Sequence, residues 1–280
     1  MYGKSDAWAC VVLSDADKER AEVFASDRGL TLTELLCLAV TAREDMLSHD
    51  KTATLAVELC NLAGRDYNEA AWAANVCARR YAFRVASKRD ALTRCLRMLR
   101  TCEHMAGAAR RGLADLSELT GPLERTRWVI VRTRRNSEEK MGGAGVSFRL
   151  SKELKGQVHS SAEALGISVS AWLRGALVAY MMDCEAGEEW GRAVLVTDRD
   201  VRRLTLAMTR WSVNHRQAAD ALERVRSAQE PSRFDPPKRT ERAWKACDAA
   251  KTAMEETWAA FNVAMDPLTT LFSGADPWRS

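Results

Sequence analysis

The sequence predicts a mainly α-helical protein in which a unit of one short β-strand and two helices occurs twice. Proline and glycine number only 6 and 15 in 280 residues, and long runs rich in Ala, Arg and Leu favour helix. Two segments instead alternate apolar and polar residues as half-buried strands do: residues 145–151 and, more faintly, residues 8–14. The same spacing of 137 positions separates Gly29 from Gly166 (166 − 29). These observations together predict a pseudo-twofold internal repeat.

The second copy has the clearer pattern, because its polar strand residues Ser147 and Arg149 alternate with apolar ones. The apolar residues of its strand and first helix form one set: Val146, Phe148, Leu150, Leu154, Val158, Ala162 and Leu165. Ser151 is a typical N-cap residue for that helix. Gly166 is expected to end the helix in a left-handed conformation, after which Ser170 can cap a second helix.

The first copy keeps this architecture without a gap. Eight residue pairs are identical at the same spacing: Leu13/Leu150, Ser14/Ser151, Lys18/Lys155, Ala25/Ala162, Gly29/Gly166, Leu36/Leu173, Ala39/Ala176 and Ala42/Ala179. Thr31 and Thr33 stand where the second copy has Ser168 and Ser170. The outward face of the first strand differs from that of the second: Trp8, Cys10 and Val12.

One such unit buries little apolar surface and leaves its strand unpaired, so it needs a partner strand and partner helices. The order of one strand and two helices resembles the ribbon-helix-helix superfamily, in which two strands pair antiparallel and enter the major groove of DNA. The resemblance implies that the outward side chains of the ribbon contact bases: Ser147 and Arg149, with Gly145 at the edge, and Trp8, Cys10 and Val12. Phosphate contacts are expected at the helix starts and in a basic cluster: Ser170, Lys152, Thr33, Arg132, Arg134 and Arg135.

Two questions about the ribbon stay open. The apolar face of the first strand either reads an AT-rich half-site through thymine methyl groups or serves mainly as a structural partner, which we slightly favour. The two strands pair either within one chain, as a pseudo-dimer, or between two chains, as a homodimer. Unequal outward faces favour the intramolecular form and a non-palindromic DNA site.

A second motif follows each unit. Residues 214–219 read Asn-His-Arg-Gln-Ala-Ala, which resembles the Asn-x-Asn-Gln-x-Ala helix start of the MobC-type plasmid mobilisation family. Three positions match: Asn214, Gln217 and Ala219. Arg216 replaces the second Asn, and in the first half only Asn68 and Ala73 match. The resemblance implies a relaxosome accessory factor that binds the double-stranded DNA of a transfer origin and assists a separate relaxase. An ordinary N-cap is an equally good interpretation of Asn214.

Two other functions fit the same pattern. A ribbon-helix-helix transcriptional repressor or copy-control protein would use the same fold on an operator, although the helical extensions are longer than a minimal repressor needs. A scaffold of the transfer complex would bind proteins through its helical halves. The polar face of Ser147 and Arg149 argues against the scaffold.

Positive charge is concentrated in the middle of the chain. The net charge is only +4, but residues 79–135 hold 15 Lys or Arg against 5 Asp or Glu. Part of this excess falls on one predicted helix: Arg94, Arg97, Arg100, Arg110 and Arg111. For that helix a phosphate-binding track and an ordinary solvated face are equally good interpretations. For residues 132–135, beside the second strand, we favour DNA contact.

The sequence does not predict an enzyme, a cofactor or a metal site. The four histidines are isolated, and the glycine-rich residues 142–145 lack the Lys-Ser/Thr of a phosphate loop. Eight cysteines without a Cys-x-x-Cys pair are expected to be free thiols in a reducing compartment, and a zinc site at Cys102 and His104 is disfavoured. No apolar run reaches the length of a membrane span, so we expect a cytoplasmic protein without membrane contact.

The repeat also predicts how the chain is divided. Residues 1–135 would form the first unit with its helical extension, residues 136–145 a polar, glycine-rich linker, and residues 146–280 the second unit with its extension. Segments 91–119 and 239–265 are expected to be corresponding long helices that pack on each other or hold a partner protein.

Overall fold

The protein is mainly helical, with short strands. The computed structural model describes residues 6–42, 52–86, 88–121, 127–131, 143, 145–186, 193–229 and 238–273. In chain order these residues form β1 (Asp6–Val12), α1 (Asp15–Ser26), α2 (Leu32–Thr41), α3 (Thr52–Arg80), α4 (Arg89–Thr120), β2 (Arg127–Val131), β3 (Gly145–Ser151), α5 (Lys152–Leu165), α6 (Val169–Ala186), β4 (Ala193–Thr197), α7 (Asp198–Ala228) and α8 (Lys238–Ser273). A short 3-10 helix, Ala82–Arg84, lies between α3 and α4.

The chain divides into two compact units, and each unit takes segments from both sequence halves. The first unit comprises residues 1–54, 122–202 and 269–280, and the second comprises residues 55–121 and 203–268. The predicted halves 1–135 and 146–280 therefore do not coincide with the compact units, because both strand–helix–helix segments fold together. Of the predicted linker 136–145, only Gly143 and Gly145 belong to the described residues.

Local sequence signals set the boundaries of the first helix in each half. Ser14 and Ser151 cap α1 and α5, each through a hydroxyl oxygen that accepts the backbone N–H three residues later, at 3.1 and 3.0 Å. Gly29 and Gly166 follow these helices with φ of 67° and 65°, the left-handed region that glycine adopts at low cost. The predicted caps and glycine stops are confirmed.

The start of α6 differs from the prediction. Ser168, rather than Ser170, caps this helix, because the N–H three residues later donates to Ser168 Oγ at 3.1 Å. Ser170 lies inside the first turn, and its Oγ accepts a hydrogen bond from the N–H of Val12 at 3.0 Å. The Ser-x-Ser sequence offers two capping residues, and the tertiary contact with β1 determines which one is used.

The core of the first unit lies beneath the ribbon formed by β1 and β3. These two strands of the same chain pair antiparallel from Asp6↔Ser151 to Val12↔Gly145. Their inner faces pack against α1, α2, α5 and α6, and the largest buried side chains include Leu13, Leu35, Leu36, Phe148, Trp172 and Leu173. Each such side chain contributes about 1.5–3 kcal/mol when buried. One face of the ribbon is therefore fixed by packing.

A second, parallel sheet pairs β2 with β4, and the sequence analysis missed it. Val129, Val131 and Leu195 from this sheet join the same core as the ribbon. Helix α6 approaches the sheet at Gly175, where a Cβ would lie 2.8 Å from Leu195 Cδ2 and 2.9 Å from Val131 Cγ2. Glycine at position 175 therefore lets the helix and sheet come close together.

The second unit consists of α3, α4, α7 and α8. The predicted long helices 91–119 and 239–265 correspond to α4 and α8, and they contact each other: Thr257 Oγ1 donates to Ala106 O at 2.9 Å, and Thr120 Oγ1 to Ala264 O at 2.7 Å. The core between the helices contains a stack of five rings: Tyr67, Trp211, His215, Trp258 and Phe261. The contacts between α4 and α8 run in the same order along both helices, so these two helices lie parallel. The same holds for α3 and α7.

Asn68 and Asn214 do not open helices, contrary to the prediction. They lie in the middle of α3 and α7, so neither is an N-cap. The apolar residues before each motif extend the helix by several turns, which a short motif cannot reveal.

The structure also bears on membrane contact. Within the described ranges no single helix combines the length and apolarity needed to cross a membrane, and only the strongly bent pair α5–α6 reaches that composition jointly.

Candidate nucleic-acid interface

The outward face of the ribbon brings together all six residues that the sequence placed there. They form three cross-strand pairs: Trp8↔Arg149, Cys10↔Ser147 and Val12↔Gly145. Val12 is half-buried and the other five are exposed, whereas their neighbours on the opposite face are buried or half-buried. The alternation of a β-strand produces this separation, because successive side chains point to opposite faces.

One end of the ribbon carries an aromatic–cation pair. The guanidinium carbon of Arg149 lies 4.8 Å from the centre of the Trp8 ring, and Trp8 remains 60% exposed. A contact of this kind contributes about 0.5–1 kcal/mol at an exposed position. It restricts the Arg149 side chain to fewer orientations, although the residue as a whole is exposed.

The other end of the ribbon has small side chains and a tightly held backbone. The N–H of Val12 donates to Ser170 Oγ at 3.0 Å, and Arg174 Nη1 donates to the carbonyl of Val12 at 2.9 Å. Arg174 also donates to Ser170 Oγ at 3.2 Å. Ser170, predicted as a phosphate contact, thus has a structural role that the sequence analysis missed, and Arg174 was missed altogether.

Helix α2 holds the Arg149 end in a corresponding way. Cys37 Sγ donates to the carbonyl of Arg149 at 3.3 Å. Burial raises the pKa of the Cys37 thiol, and the charge of Glu34 adds to the effect, so the thiol stays protonated at neutral pH. Cys37 and Arg174 occupy the same position in the two halves, since each follows its glycine, Gly29 or Gly166, by eight residues (37 − 29 and 174 − 166).

The two helix starts considered for phosphate contact differ in charge. At α2, the carboxylate of Glu34 accepts the N–H of Thr31 at 2.8 Å, and this backbone hydrogen bond lowers the pKa of Glu34. The first turn of α6 has no acidic residue. An incoming phosphate would therefore meet a negative side chain at α2, beside the predicted contact Thr33, but not at α6.

The remaining predicted phosphate contacts are only partly described. Lys152 is exposed and is the first residue of α5. Arg132, Arg134 and Arg135 lie outside the described residues.

In the second unit, the motif residues gather in a polar groove between α3 and α7. Asn68, Asn214 and Gln217 line this groove together with Trp72, which is 56% exposed. Sequence alone gave no reason to expect Asn68 and Asn214 to face each other, because that depends on the parallel packing of the two helices.

The cysteines and histidines of the described chain do not form a metal site. Among these residues, no three His, Cys, Asp or Glu side chains come close enough to hold an ion. Cys102 is buried, and its pKa is raised by burial to about 12, whereas His104 is exposed on the surface of α4. The thiols of Cys77 and Cys95 lie 3.2 Å apart in the core.

No protein-family model matches this chain, and no curated protein and no solved structure was found to be similar to it.

Proposed function

We propose that this protein binds double-stranded DNA sequence-specifically, with the β1–β3 ribbon as the reading element. The observation that carries the proposal is the exposed antiparallel ribbon whose two strands each lead into a capped helix, a left-handed glycine and a second helix. The major groove is about 12 Å wide and admits a two-stranded ribbon. On such a ribbon, the Arg149 guanidinium can donate two hydrogen bonds to a guanine, worth about 1–3 kcal/mol of discrimination.

The register supports an internal twofold arrangement of the ribbon-helix-helix type. Cys10 and Ser147 correspond at the repeat spacing of 137 (147 − 10), and they also lie directly opposite each other. In a symmetric ribbon only the central residue faces its own counterpart, so the pseudo-twofold axis passes between these two residues. One chain then supplies the paired strands that a ribbon-helix-helix dimer takes from two chains.

The antiparallel pairing brings the unequal outward faces of β1 and β3 together at both ends of the ribbon. Each end of the ribbon takes one residue from each strand, so the contrast lies between the ends rather than between the strands. The Trp8–Arg149 end offers a cation and hydrogen-bond donors, whereas Val12 and Gly145 offer apolar contact of the kind that suits thymine methyl groups. The protein would therefore recognise a non-palindromic site whose guanine-containing half faces Arg149.

The biological setting that we propose is the relaxosome of a mobile element. The MobC-like motif at Asn214 and Gln217 suggests it, and the second unit provides surface beyond what DNA reading needs. Several apolar side chains on α3 and α7 are more than 40% exposed: Leu55, Leu62, Trp72, Leu206 and Val213. A surface of this kind suits contact with a protein such as a relaxase.

A selection from a random duplex library at physiological salt tests the function. We expect an asymmetric site, and we expect Arg149→Ala to lose about 1–3 kcal/mol of specific binding without loss of folding. The location of the recovered site in the host element then distinguishes a transfer origin from a promoter. Enrichment of no sequence, or unchanged preference in Arg149→Ala, would contradict the proposed role of the ribbon.

A further inference from the structure

A second basic surface lies in the helical unit, in a groove between α4 and α8. Five arginines line it, three from α4 and two from α8: Arg89, Arg97, Arg100, Arg239 and Arg242. Thr93, Thr101 and His104 add polar groups, and the groove has a volume of about 870 Å³. All five arginine side chains are exposed, so an incoming ligand can reach them.

The charge of this groove is uncompensated within the described chain. No acidic side chain of the described residues lines the groove, and none of the five arginines forms an ion pair with a described carboxylate. Glu241, which lies between two of them in sequence, is paired with Lys245 at 2.9 Å. Arginine does not lose its proton at physiological pH, so these groups stay positively charged, and no carboxylate of the described residues neutralises them.

The helix directions add to the positive potential. Helix α4 begins at Arg89, and α8 begins at Lys238, next to Arg239. Both helix N-termini therefore lie at the same end of the groove, and each carries a partial positive charge. Asp90 in the first turn of α4 and Glu241 in the first turn of α8 offset part of this potential, but neither side chain lines the groove.

The neighbouring part of α4 shows what a compensated surface looks like. About three turns beyond Arg100, Arg110 forms an ion pair with Glu256 of α8. Arg110 and Arg111 share the next depression with Glu103 and Glu256, and Arg100 and His104 line both that depression and the groove. Along α4 the lining therefore changes from one without acidic side chains among the described residues to one in which carboxylates accompany the arginines.

The length and lining of the groove indicate the ligand class. From Arg89 to His104 the α4 helix rises about 22 Å, the axial length over which one strand of B-DNA carries roughly six phosphates. No Phe, Tyr or Trp among the described residues lines the groove, and His104 is the one ring of that lining, so the groove lacks the row of aromatic side chains on which successive bases stack. A small anion would leave most of the arginines along this length without a partner.

We propose that the α4–α8 groove binds the phosphate backbone of a nucleic acid without regard to sequence. This contact does not depend on the ribbon, and it would add affinity and salt dependence to whatever sequence the protein prefers. The arginines act as backbone contacts that position the nucleic acid, because contacts to phosphate oxygens carry no sequence information.

The experiment compares two triple variants of the full chain that remove equal charge. The groove variant is Arg97→Ala, Arg100→Ala and Arg242→Ala. The control variant is Arg80→Ala, Arg94→Ala and Arg216→Ala, three exposed arginines of the same unit that do not line the groove. Binding to a short duplex of scrambled sequence is measured by fluorescence anisotropy between about 50 and 200 mM salt.

We expect the groove variant to bind the scrambled duplex with a salt dependence shallower by about 2 to 3, since each phosphate contact contributes about 0.9 to the slope of log K against log salt. The control variant should keep nearly the wild-type slope, and a Lys triple at the groove positions should restore most of it. Equal effects in the groove and control variants would overturn the proposal. So would a groove variant that keeps duplex binding but loses binding of poly-glutamate, which would assign the groove to acidic protein segments.

The ribbon is separated from the groove by the same assay. Arg149→Ala should reduce the ratio of the affinities for the selected and the scrambled duplex, whereas the groove variant should lower both affinities and keep that ratio. If no specific site exists but the groove variant still loses nonspecific binding, the ribbon proposal fails while the groove proposal stands.

Discussion

The two ends of the β1–β3 ribbon share one backbone arrangement but have opposite chemistry. At one end Trp8 and Arg149 present a ring and a cation, and at the other Val12 and Gly145 present almost no functional group. The supporting contacts lie at corresponding positions but use different donors: a thiol from α2 donates to the carbonyl of Arg149, whereas a guanidinium from α6 donates to that of Val12. In a homodimer every substitution changes both ends, so only a chain that carries both strands can develop such a difference.

The largest expected effect is a difference in folding stability between substitutions on the inner and the outer face of the ribbon. Phe148 is 2% exposed and lies in the core, whereas the adjacent Ser147 points outward. Phe148→Ala should lower the free energy of unfolding by about 3–5 kcal/mol, and Ser147→Ala should change it by less than about 0.5 kcal/mol. Urea unfolding of both variants measures this. Similar losses in the two variants would mean that the ribbon does not use its inner face as described.

The second prediction removes the difference between the ends. Arg149 and Trp8 correspond by the repeat to Val12 and Gly145, so the double variant Val12→Arg, Gly145→Trp gives both ends the same pair. A Cβ at position 145 meets Cys10 Sγ at 3.5 Å, an ordinary contact, and residue 145 is exposed, so a side chain can leave the ribbon there toward solvent. The library selection should then yield a palindromic site, with the added arginine contributing about 1–3 kcal/mol on its matched half. An unchanged asymmetric site would show that the Trp8–Arg149 end does not determine the preference.

The features predictable from sequence were those encoded locally. Ser151 and Gly166 fix the ends of α5 through bonds and dihedral angles within a few residues, so their roles follow from residue type. The parallel pairing of β2 with β4 was missed, because it joins short apolar runs whose residues could also belong to helices. The arginine groove was not predictable either, since Arg97 and Arg242 meet only after α4 and α8 pack in parallel.

The third prediction compares the stability contributed by the two side chains that hold the ribbon backbone, Arg174 at the Val12 end and Cys37 at the Arg149 end. Arg174 makes two hydrogen bonds at the Val12 end, so Arg174→Met should cost about 1–3 kcal/mol of stability, the usual range for half-buried bonds from a charged donor. Cys37→Ala should cost less, about 1 kcal/mol, because a thiol is a weak donor. Chemical unfolding measures both losses. A larger loss of stability in Cys37→Ala than in Arg174→Met would contradict the prediction that the Val12 end is held by the stronger contact.

The smallest expected effect is a pH dependence of folding stability that arises at the Arg149 end of the ribbon and not at the Val12 end. Burial raises the pKa of the Cys37 thiol above its ordinary value of 9.0, and Glu34 adds to this. A group whose pKa is raised by folding stabilises the fold fully below its unfolded pKa, and this stabilisation is lost as pH rises through the folded pKa. The Arg149 end should therefore weaken above pH 9, whereas the Arg174 contact does not titrate there.

Cys37→Ser provides the matched variant for this pH effect, because a hydroxyl can donate to the same carbonyl but does not ionise in this range. Other buried groups also lose stabilisation at high pH, among them Cys60, Cys102 and Cys247, whose pKa values are raised by burial to about 12. They are common to both proteins, so they cancel in the difference. The free energy of unfolding, measured at pH 7 and above pH 9, should fall further in the wild type than in Cys37→Ser. An equal fall in the two proteins would mean that the Cys37 thiol does not support the Arg149 end of the ribbon.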